Sequence, residues 1–299
     1  MVSTDDSVTN FSQLEKKVRE PWRFNLCRVG LRPESRKDFP VRAYVQQVRQ
    51  SAPNHIQLVQ SAHAFWERGY EVVPFQYEEI EQGGLDEYLL RQPNEMVLRG
   101  GVGTVLKALE RAGRPRPPNL DLPLSLEPWF GRRVWHSTLE EVRNQIANES
   151  SQPLHVKPRL HHKLFKGQVF GVFRDLIPTA GIPGDTPVLV QDCVDLVSEW
   201  RATILRDRVL CIGHYSGDPL VFPNVESVKA AIGAFDNRPI GFSMDWGITR
   251  SGQTLLVEVN DGFSLGNYGV RGLAFSALIE ARWRELMGLS DNGVGDQYA

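Results

Sequence analysis

The 299-residue chain has room for about two domains of roughly 100–200 residues each. Hydrophobic residues make up 41% of the sequence and charged residues 23%, which is typical of a globular protein with a sizeable core. The formal charge of −2 excludes a global attraction to nucleic acid or acidic membranes, and the sequence has no run of about 18 apolar residues that could span a bilayer.

The first residues and the cysteines indicate where the protein resides. The opening stretch MVSTDDSVTN is polar and acidic, which is not typical of a secretory signal. Cys27, Cys193 and Cys211 are far apart without metal-type spacing, and their odd number argues against a disulfide framework. We therefore expect a cytoplasmic protein with no membrane association and no nucleic-acid partner.

The N-terminal third alternates strand-like and helix-like segments. A strand is predicted at 23–31 (RFNLCRVGL), followed by an amphipathic helix that stops at Gly69 and a strand at 71–75. The theme repeats with a strand up to Arg99, a glycine turn and a helix that ends at Gly113. Such alternation predicts an α/β layer with a parallel sheet.

The pattern changes after a proline-rich stretch. Five prolines among residues 114–128 disfavour both helix and central strand, so this segment is predicted to connect two domains. Beyond it, a short helix capped by Ser137 or Thr138 precedes several strand-sized runs, with tight turns at 206–207 and 250–252. Because helices are few there, the second half is predicted to be a largely antiparallel α+β unit.

The strand QTLLVEV and the residue that follows it carry polar side chains on one face. Glu258 and Asn260 are two residues apart, so they point the same way, and Asp245 lies on the preceding strand across one hairpin turn. Two carboxylates and an amide suit Mg²⁺, which usually takes one or two carboxylates plus phosphate oxygens. Without the ion, the gathered carboxylates are expected to repel one another. Alternatively, the acids are unrelated solvent-facing residues.

A basic segment lies upstream of this hairpin. Lys157 is on a short apolar strand, where burying an unpaired ammonium is costly unless it meets an anion such as phosphate. The residues that follow can fold charges and backbone N–H groups over phosphates, and they are Arg159, His161, His162, Lys163, Lys166 and Gly167. The two histidines could instead bind a metal, but no cysteine or acid stands nearby at ligand spacing.

A polar linker, residues 191–194, follows the strand PVLVQDCV, and the next strand places Glu199 and Arg201 on one face. The linker can offer backbone groups to an adenine edge, Glu199 can take ribose hydroxyls, and Arg201 can meet phosphate. The alternative is that Glu199 and Arg201 form a structural cross-strand ion pair.

Taken in chain order, these features resemble the ATP-grasp superfamily. The resemblance covers roughly residues 95–285 and rests on the lysine with its glycine-bearing hairpin, the strand EWRATILRDRVL and the segment EVNDGFSLGNYG. Its most specific element is the E-V-N sequence with the upstream Asp245. The hairpin departs from the glycine-rich loop of well-studied members because it holds a single glycine.

The resemblance implies the fold class and its division into domains. An N-terminal α/β domain at residues 1–120 is expected to precede an α+β ATP-grasp domain at residues 121–290, with mixed and antiparallel sheets and flanking helices. Within the second domain, the resemblance implies a lid subdomain at about 137–192 and a metal-binding subdomain at about 193–290.

The resemblance also implies the reaction and its site. ATP and Mg²⁺ are the expected cofactors of an ADP-forming carboxylate–amine ligase that works through an acyl phosphate, with Lys157 and Arg201 offsetting the phosphoryl charge. The expected nucleotide-binding residues are Lys157, Lys163, Lys166, Gly167, Gln191, Asp192, Cys193, Val194 and Glu199. The expected metal ligands are Asp245, Glu258 and Asn260. The alternatives are another ATP-dependent phosphotransferase and a non-catalytic nucleotide-binding module.

The expected partners are a small-molecule or peptide carboxylate and an amine. Polar and charged residues near the expected site could hold them, and each of these residues could equally be structural. Arg271 is notable because it can form a bidentate pair with a substrate carboxylate. The full set of candidates is Arg99, Arg133, His214, Tyr215, Asn267 and Arg271.

Overall fold

Three sheets with packed helices make up the part of the chain that this computed structural model describes. That part comprises residues 41–147, 152–159, 164–293 and 295–298. The strand predicted at 23–31 lies outside it. Within it, no helix is long and apolar enough to cross a membrane.

The first sheet is parallel, as the alternating N-terminal pattern predicted. It contains β1 (Arg42–Gln46), β2 (Glu71–Phe75) and β3 (Met96–Arg99) in the order β2-β1-β3. Strand β1 is not predicted from the sequence because its middle three residues are all buried, so it lacks the alternation that marks a half-exposed strand.

Helices cross between the strands of the first sheet. They are α1 (His55–Glu67), α2 (Tyr77–Glu81) and α3 (Val102–Arg111). The glycines that were predicted to stop α1 and α3, Gly69 and Gly113, have φ values of +85° and +64°. Glycine adopts this left-handed conformation without steric cost, which explains why the helices end there.

The last helix, α6 (Gly272–Leu286), packs against α1 and the first sheet. Its residues from Ala274 to Arg284 are all buried, including three charged side chains. Glu280 pairs with Arg68, while Arg282 pairs with Asp261 at the end of the last strand. These ion pairs allow a helix with charged residues to lie inside the core instead of on its surface.

The second sheet is antiparallel, with strand order β11-β10-β8-β9. Its strands are β8 (Leu196–Leu205), β9 (Arg208–Gly217), β10 (Gly241–Thr249) and β11 (Thr254–Asp261), and α5 (Val225–Ala234) packs on it. Both predicted hairpins are present. Arg206 has a φ of 55° in the first turn and Gly252 a φ of 84° in the second.

The third sheet has its own hydrophobic core and the strand order β4-β7-β5-β6. Its strands are β4 (Val134–Thr138), β5 (Leu154–Pro158), β6 (Gln168–Phe170) and β7 (Pro187–Asp192), with α4 (Leu139–Ala147) packed against it. Thr138 caps α4: the Glu141 amide donates to its hydroxyl at 3.3 Å, and its own amide donates to the Glu141 carboxylate at 3.1 Å.

The proline-rich stretch differs from the expected bare connection. Residues Leu124–Trp129 form a 3₁₀ helix that begins directly after Pro123 and contains Pro128 near its end. Leu126 in this helix is fully buried in the core shared with α5. A short 3₁₀ helix tolerates proline at its ends because few of its N–H groups are needed for internal bonds. The domain limits at 120, 137, 192 and 290 stay predictions.

Candidate functional site

A cleft of about 580 Å³ lies between the second and third sheets. Its walls come from residues 118–121 of the proline-rich stretch, from β5 and the residues before β6, from β8 and from the end of β11. The predicted site residues that line it are Lys157, Lys166, Gly167, Arg201, Glu258 and Asn260. Lys163, like His161 and His162, lies outside the described residues.

The hairpin of β10 and β11 brings the three predicted metal ligands together. Asp245 stands directly opposite Glu258 in the strand register, with a bulge immediately after Asp245. The Asn260 amide nitrogen is 3.3 Å from Asp245 Oδ2 and 3.0 Å from Glu258 Oε1. Antiparallel pairing of two strands thus places three oxygen-bearing side chains on one face of the sheet.

Each carboxylate of this set is paired with a cation. Arg201, opposite Asp245 on β8, donates from Nε and from a terminal nitrogen to the two Asp245 oxygens, both at 2.6 Å. The Lys157 ammonium, which comes from β5, lies 3.3 Å from Glu258 Oε2. The expected repulsion between bare carboxylates is therefore offset by ion pairs, and a bidentate guanidinium–carboxylate pair is among the strongest of these.

The two carboxyl groups titrate differently. Burial raises the pKa of Asp245 to about 6, and the nearby Glu258 and Glu199 add to this shift, whereas Arg201 opposes it. Burial would also raise the pKa of Glu258, but Lys157, the Asn260 amide and Arg201 together lower it below its usual range. Glu258 is therefore fully ionised at neutral pH, and Asp245 is the carboxylate that a further positive charge would stabilise most.

These residues fit a hard divalent ion such as Mg²⁺. Two carboxylates and an amide, which has an oxygen besides its nitrogen, converge on the cleft. In the described ranges no three acidic, histidine or cysteine side chains gather into a complete metal cage. An ion held here would thus take its remaining ligands from water or phosphate, which is how Mg²⁺ is usually bound.

Glu199 and Arg201 do not pair with each other. The Tyr215 hydroxyl donates to Glu199 at 3.2 Å, and the cross-strand partner of Arg201 is Asp245. The Tyr268 ring, from the loop after β11, covers the Arg201 guanidinium at 4.5 Å. Glu199 itself lies beyond the lining of the cleft.

The predicted adenine linker is shorter than expected. Gln191 and Asp192 are the last residues of β7, so only residues 193–195 connect β7 to β8. Asp192 forms a bidentate pair with Arg133, at 2.9 Å for both bonds. Cys193 is exposed and Val194 is half-buried. Their contact with a nucleotide stays a prediction.

The predicted substrate residues do not gather at the cleft. Arg99 is 2% exposed and donates to the Leu265 carbonyl at 2.8 Å, which ties the first sheet to the loop after β11. His214 stacks on Trp200 at 4.9 Å, and Asn267 accepts a bond from the Val270 amide. The candidates that do not line the cleft are Arg99, Arg133, His214, Tyr215, Asn267 and Arg271.

A buried network that sequence reasoning missed joins the second and third sheets. Arg132 donates to Gln191 Oε1 at 2.7 Å and to the Leu256 and Val257 carbonyls of β11 at 2.8 and 3.1 Å. The Gln191 amide in turn contacts His155 Nδ1 at 2.8 Å. Burial lowers the pKa of Arg132 to about 10. The only sequence signal is a pair of arginines before a strand, where alternation sends one of them inward.

The acid sensitivity of this network can be predicted from His155. Burial, with Lys157 and Arg132 nearby, lowers the pKa of His155 from 6.5 to about 4. The unfolded chain therefore binds the proton more readily than the folded protein between these values, and stability is lost as pH falls through that window. We expect the loss to reach about 3 kcal/mol at most.

The measurement is the urea-unfolding free energy from about pH 7 to pH 4, compared with His155→Gln. Glutamine retains a hydrogen-bonding side chain but does not titrate, so the variant should lose less stability on acidification. Equal slopes in the two proteins would show that His155 is not the group responsible. His136→Gln, at an exposed position of the same sheet, is the matched control.

Asp121 is a second residue that sequence reasoning missed. It lines the cleft and forms an ion pair with Lys157. Its φ is 45°, and its carbonyl accepts a bond from the Val259 amide of β11 at 2.6 Å. An aspartate between prolines was a possible signal, because aspartate is one of the few residues that tolerates a left-handed backbone.

Comparisons with known proteins give a family for this sequence. A family model of the ATP-grasp domain, the second family of its clade, matches residues 129–278. No curated protein matches the sequence. Among solved structures, D-cycloserine synthetase DcsG is similar at 15% identity and a TM-score of 0.55, covering 81% of this chain and 99% of that one.

Two further solved structures have TM-scores of 0.50. An N5-carboxyaminoimidazole synthetase from Staphylococcus aureus complexed with ADP is 12% identical and covers 85% of this chain and 79% of that one. An L-amino acid ligase from Bacillus licheniformis is 11% identical and covers 84% and 75%. At these identities the likeness concerns the fold alone, and it agrees with the mixed parallel and antiparallel sheets described above.

Proposed function

This chain belongs to the ATP-grasp domain family, and from that premise we propose that it is an ATP-dependent carboxylate–amine ligase. The observation that carries the proposal is the pairing of two cations with two carboxylates in one cleft, Lys157 with Glu258 and Arg201 with Asp245. Cations for phosphate and carboxylates for a metal are the two groups that phosphoryl transfer from ATP requires.

The reaction has two steps. An oxygen of the substrate carboxylate attacks the γ-phosphorus, the bond to the bridging oxygen breaks, and ADP leaves behind an acyl phosphate. The amine nitrogen then attacks the acyl carbon, the bond to phosphate breaks, and an amide forms with loss of a proton. Both transition states carry concentrated negative charge, which fixed positive groups stabilise most effectively when they are already in place.

The residues of the cleft have separate tasks in this proposal. Lys157 and Lys166 offset the triphosphate charge, Gly167 lets the backbone approach the phosphates closely, and Arg201 faces the transferred group. Asp245, Glu258 and Asn260 would hold Mg²⁺, which when bound supplies charge neutralisation at the phosphate oxygens. The third sheet covers the cleft and limits the access of water, which would otherwise hydrolyse an acyl phosphate.

The test is a screen for ADP release with pools of amino acids and short peptides as acids and amines, followed by mass spectrometry of the products. An amide product formed together with ADP supports the proposal. A phosphorylated product formed without any amine would mean that the protein is a phosphotransferase. Binding of ATP without ADP release in any pool would favour a nucleotide-binding module.

Nucleotide binding can be tested before a substrate is known. Lys157→Met is expected to weaken the binding of Mg²⁺ with a non-hydrolysable ATP analogue by about tenfold or more, because the phosphates lose a charge-assisted hydrogen bond. The cost in unfolding free energy should stay near ~1 kcal/mol, since the carboxylates that face Lys157 retain some solvent access.

Isothermal titration calorimetry measures the affinity, and chemical denaturation measures the stability. Lys107→Met, which breaks the Lys107–Glu110 pair on α3, is the matched control and should bind the analogue normally. A Lys157→Met variant that binds normally but unfolds much more easily would show that this lysine is structural.

A further inference from the structure

Asp121 is a carboxylate in the cleft to which the proposed reaction gives no role. It forms an ion pair with the Lys157 ammonium, and the two side chains are 17% and 12% exposed. Lys157 also lies 3.3 Å from Glu258. The ammonium proposed to bind phosphate is thus held by two acids, only one of which is a proposed metal ligand.

The position of Asp121 is fixed from the side of the second sheet. Its carbonyl accepts the Val259 amide at 2.6 Å, in an isolated bridge to the strand that carries Glu258. The Asn119 amide donates to its other carboxylate oxygen at 2.9 Å. Lys157, by contrast, belongs to β5 of the third sheet. The ion pair therefore connects the two walls of the cleft.

The charges at the base of the cleft do not cancel. Asp121, Asp245 and Glu258 contribute three negative charges, and Lys157 and Arg201 contribute two positive ones. An incoming triphosphate must compete with Asp121 and Glu258 for the Lys157 ammonium and also meets a net negative surface. Glu258 gives up Lys157 when it serves as a metal ligand, whereas Asp121 keeps its charge in either case.

We propose that Asp121 is a counter-ion that restrains Lys157 and thereby makes nucleotide binding depend on the divalent metal. This inference rests on the proposed function, because it assumes that Lys157 binds the phosphates. In the absence of metal, both acids hold the ammonium, and free nucleotide binds poorly. When Glu258 and Asp245 are engaged by metal, Asp121 alone competes for Lys157, and the phosphates can displace it.

The experiment compares two dissociation constants for each protein, those for ADP with excess Mg²⁺ and for ADP with EDTA, both measured by calorimetry. Asp121→Asn removes the charge, and asparagine accepts the left-handed backbone at this position as readily as aspartate does. We expect the ratio of the EDTA constant to the Mg²⁺ constant to fall about three- to tenfold, mainly through tighter binding in EDTA. A thermal melt checks that the variant is folded.

Asp86→Asn is the matched control. Asp86 is also paired with an arginine, Arg111, but it does not line the cleft, and its substitution changes the net charge equally. An unchanged ratio in this control, together with a lowered ratio in Asp121→Asn, supports the proposal. Equal changes in both variants would reduce it to a net-charge effect and overturn it.

Two other outcomes separate this inference from the proposed function. If the wild-type protein binds Mg²⁺–ADP but Asp121→Asn leaves the ratio unchanged or weakens binding in both conditions, Asp121 does not compete for Lys157 and only the inference fails. If the wild-type protein binds no nucleotide with Mg²⁺ at millimolar concentration, the proposed function fails and the inference fails with it.

Discussion

Glu258→Gln is expected to lower turnover by about two to three orders of magnitude once a substrate pair is known. Glutamine retains the size of the side chain and can still accept the Asn260 amide, but it removes the charge that would bind the metal. Lys157 loses one of its two carboxylate partners, so the unfolding free energy should fall by only about 1 kcal/mol. The large effect thus falls on catalysis.

The measurement is steady-state ADP formation across a range of Mg²⁺ concentrations, with the folded fraction checked by circular dichroism. Glu71→Gln, which breaks the Arg42–Glu71 pair at the edge of the first sheet, should retain full turnover. Asn260→Ala should be milder than Glu258→Gln, because water can replace a neutral amide ligand. Near-normal turnover of Glu258→Gln at saturating Mg²⁺ would refute its assignment as a metal ligand.

Arg201→Met is expected to cost about 3–5 kcal/mol of unfolding free energy, the largest stability effect that we predict for the site. The Asp245 side chain is only 4% exposed and Arg201 only 12%, so removing the guanidinium leaves a buried carboxylate without its bidentate partner. Asp245→Asn added to this background should recover part of the loss, because the uncompensated charge disappears. The two changes should therefore be non-additive by about 2 kcal/mol or more.

A double-mutant cycle in urea unfolding measures this coupling. The Arg238–Asp207 pair on the β8–β9 turn is the control, since its carboxylate is largely exposed and the pair should show little coupling. Additive effects of Arg201→Met and Asp245→Asn would mean that the two residues do not stabilise each other. The same cycle also shows how far the site is held together by its own charges in the absence of nucleotide.

The arrangement of the proposed metal ligands was predictable because it depends on neighbouring residues. Strand alternation puts Glu258 and Asn260 on one face, and a turn at 250–252 brings Asp245 opposite Glu258. Sequence patterns likewise predicted the ends of α1 and α3, where a single glycine takes the left-handed conformation that stops each helix.

The partners of these ligands were not predictable in the same way. Arg201 meets Asp245 because β8 lies between β10 and β9 in the second sheet, and an order that inserts one hairpin beside another has no local signal. Asp121 meets Lys157 because two segments that are distant in the chain converge on the cleft from different layers. The sequence indicated that Lys157 needs an anion, but it did not indicate which acids of the protein supply one.

The sequence by itself determined the parallel first sheet, the antiparallel second half, the hairpins and the face that carries the metal-type side chains, because hydrophobic period and turn residues act over a few positions. Only the tertiary structure decided that α6 is buried, that Gln191 is engaged by Arg132 and His155, and that each cation has a carboxylate partner. These features depend on contacts between distant segments, where burial and charge pairing override local preference.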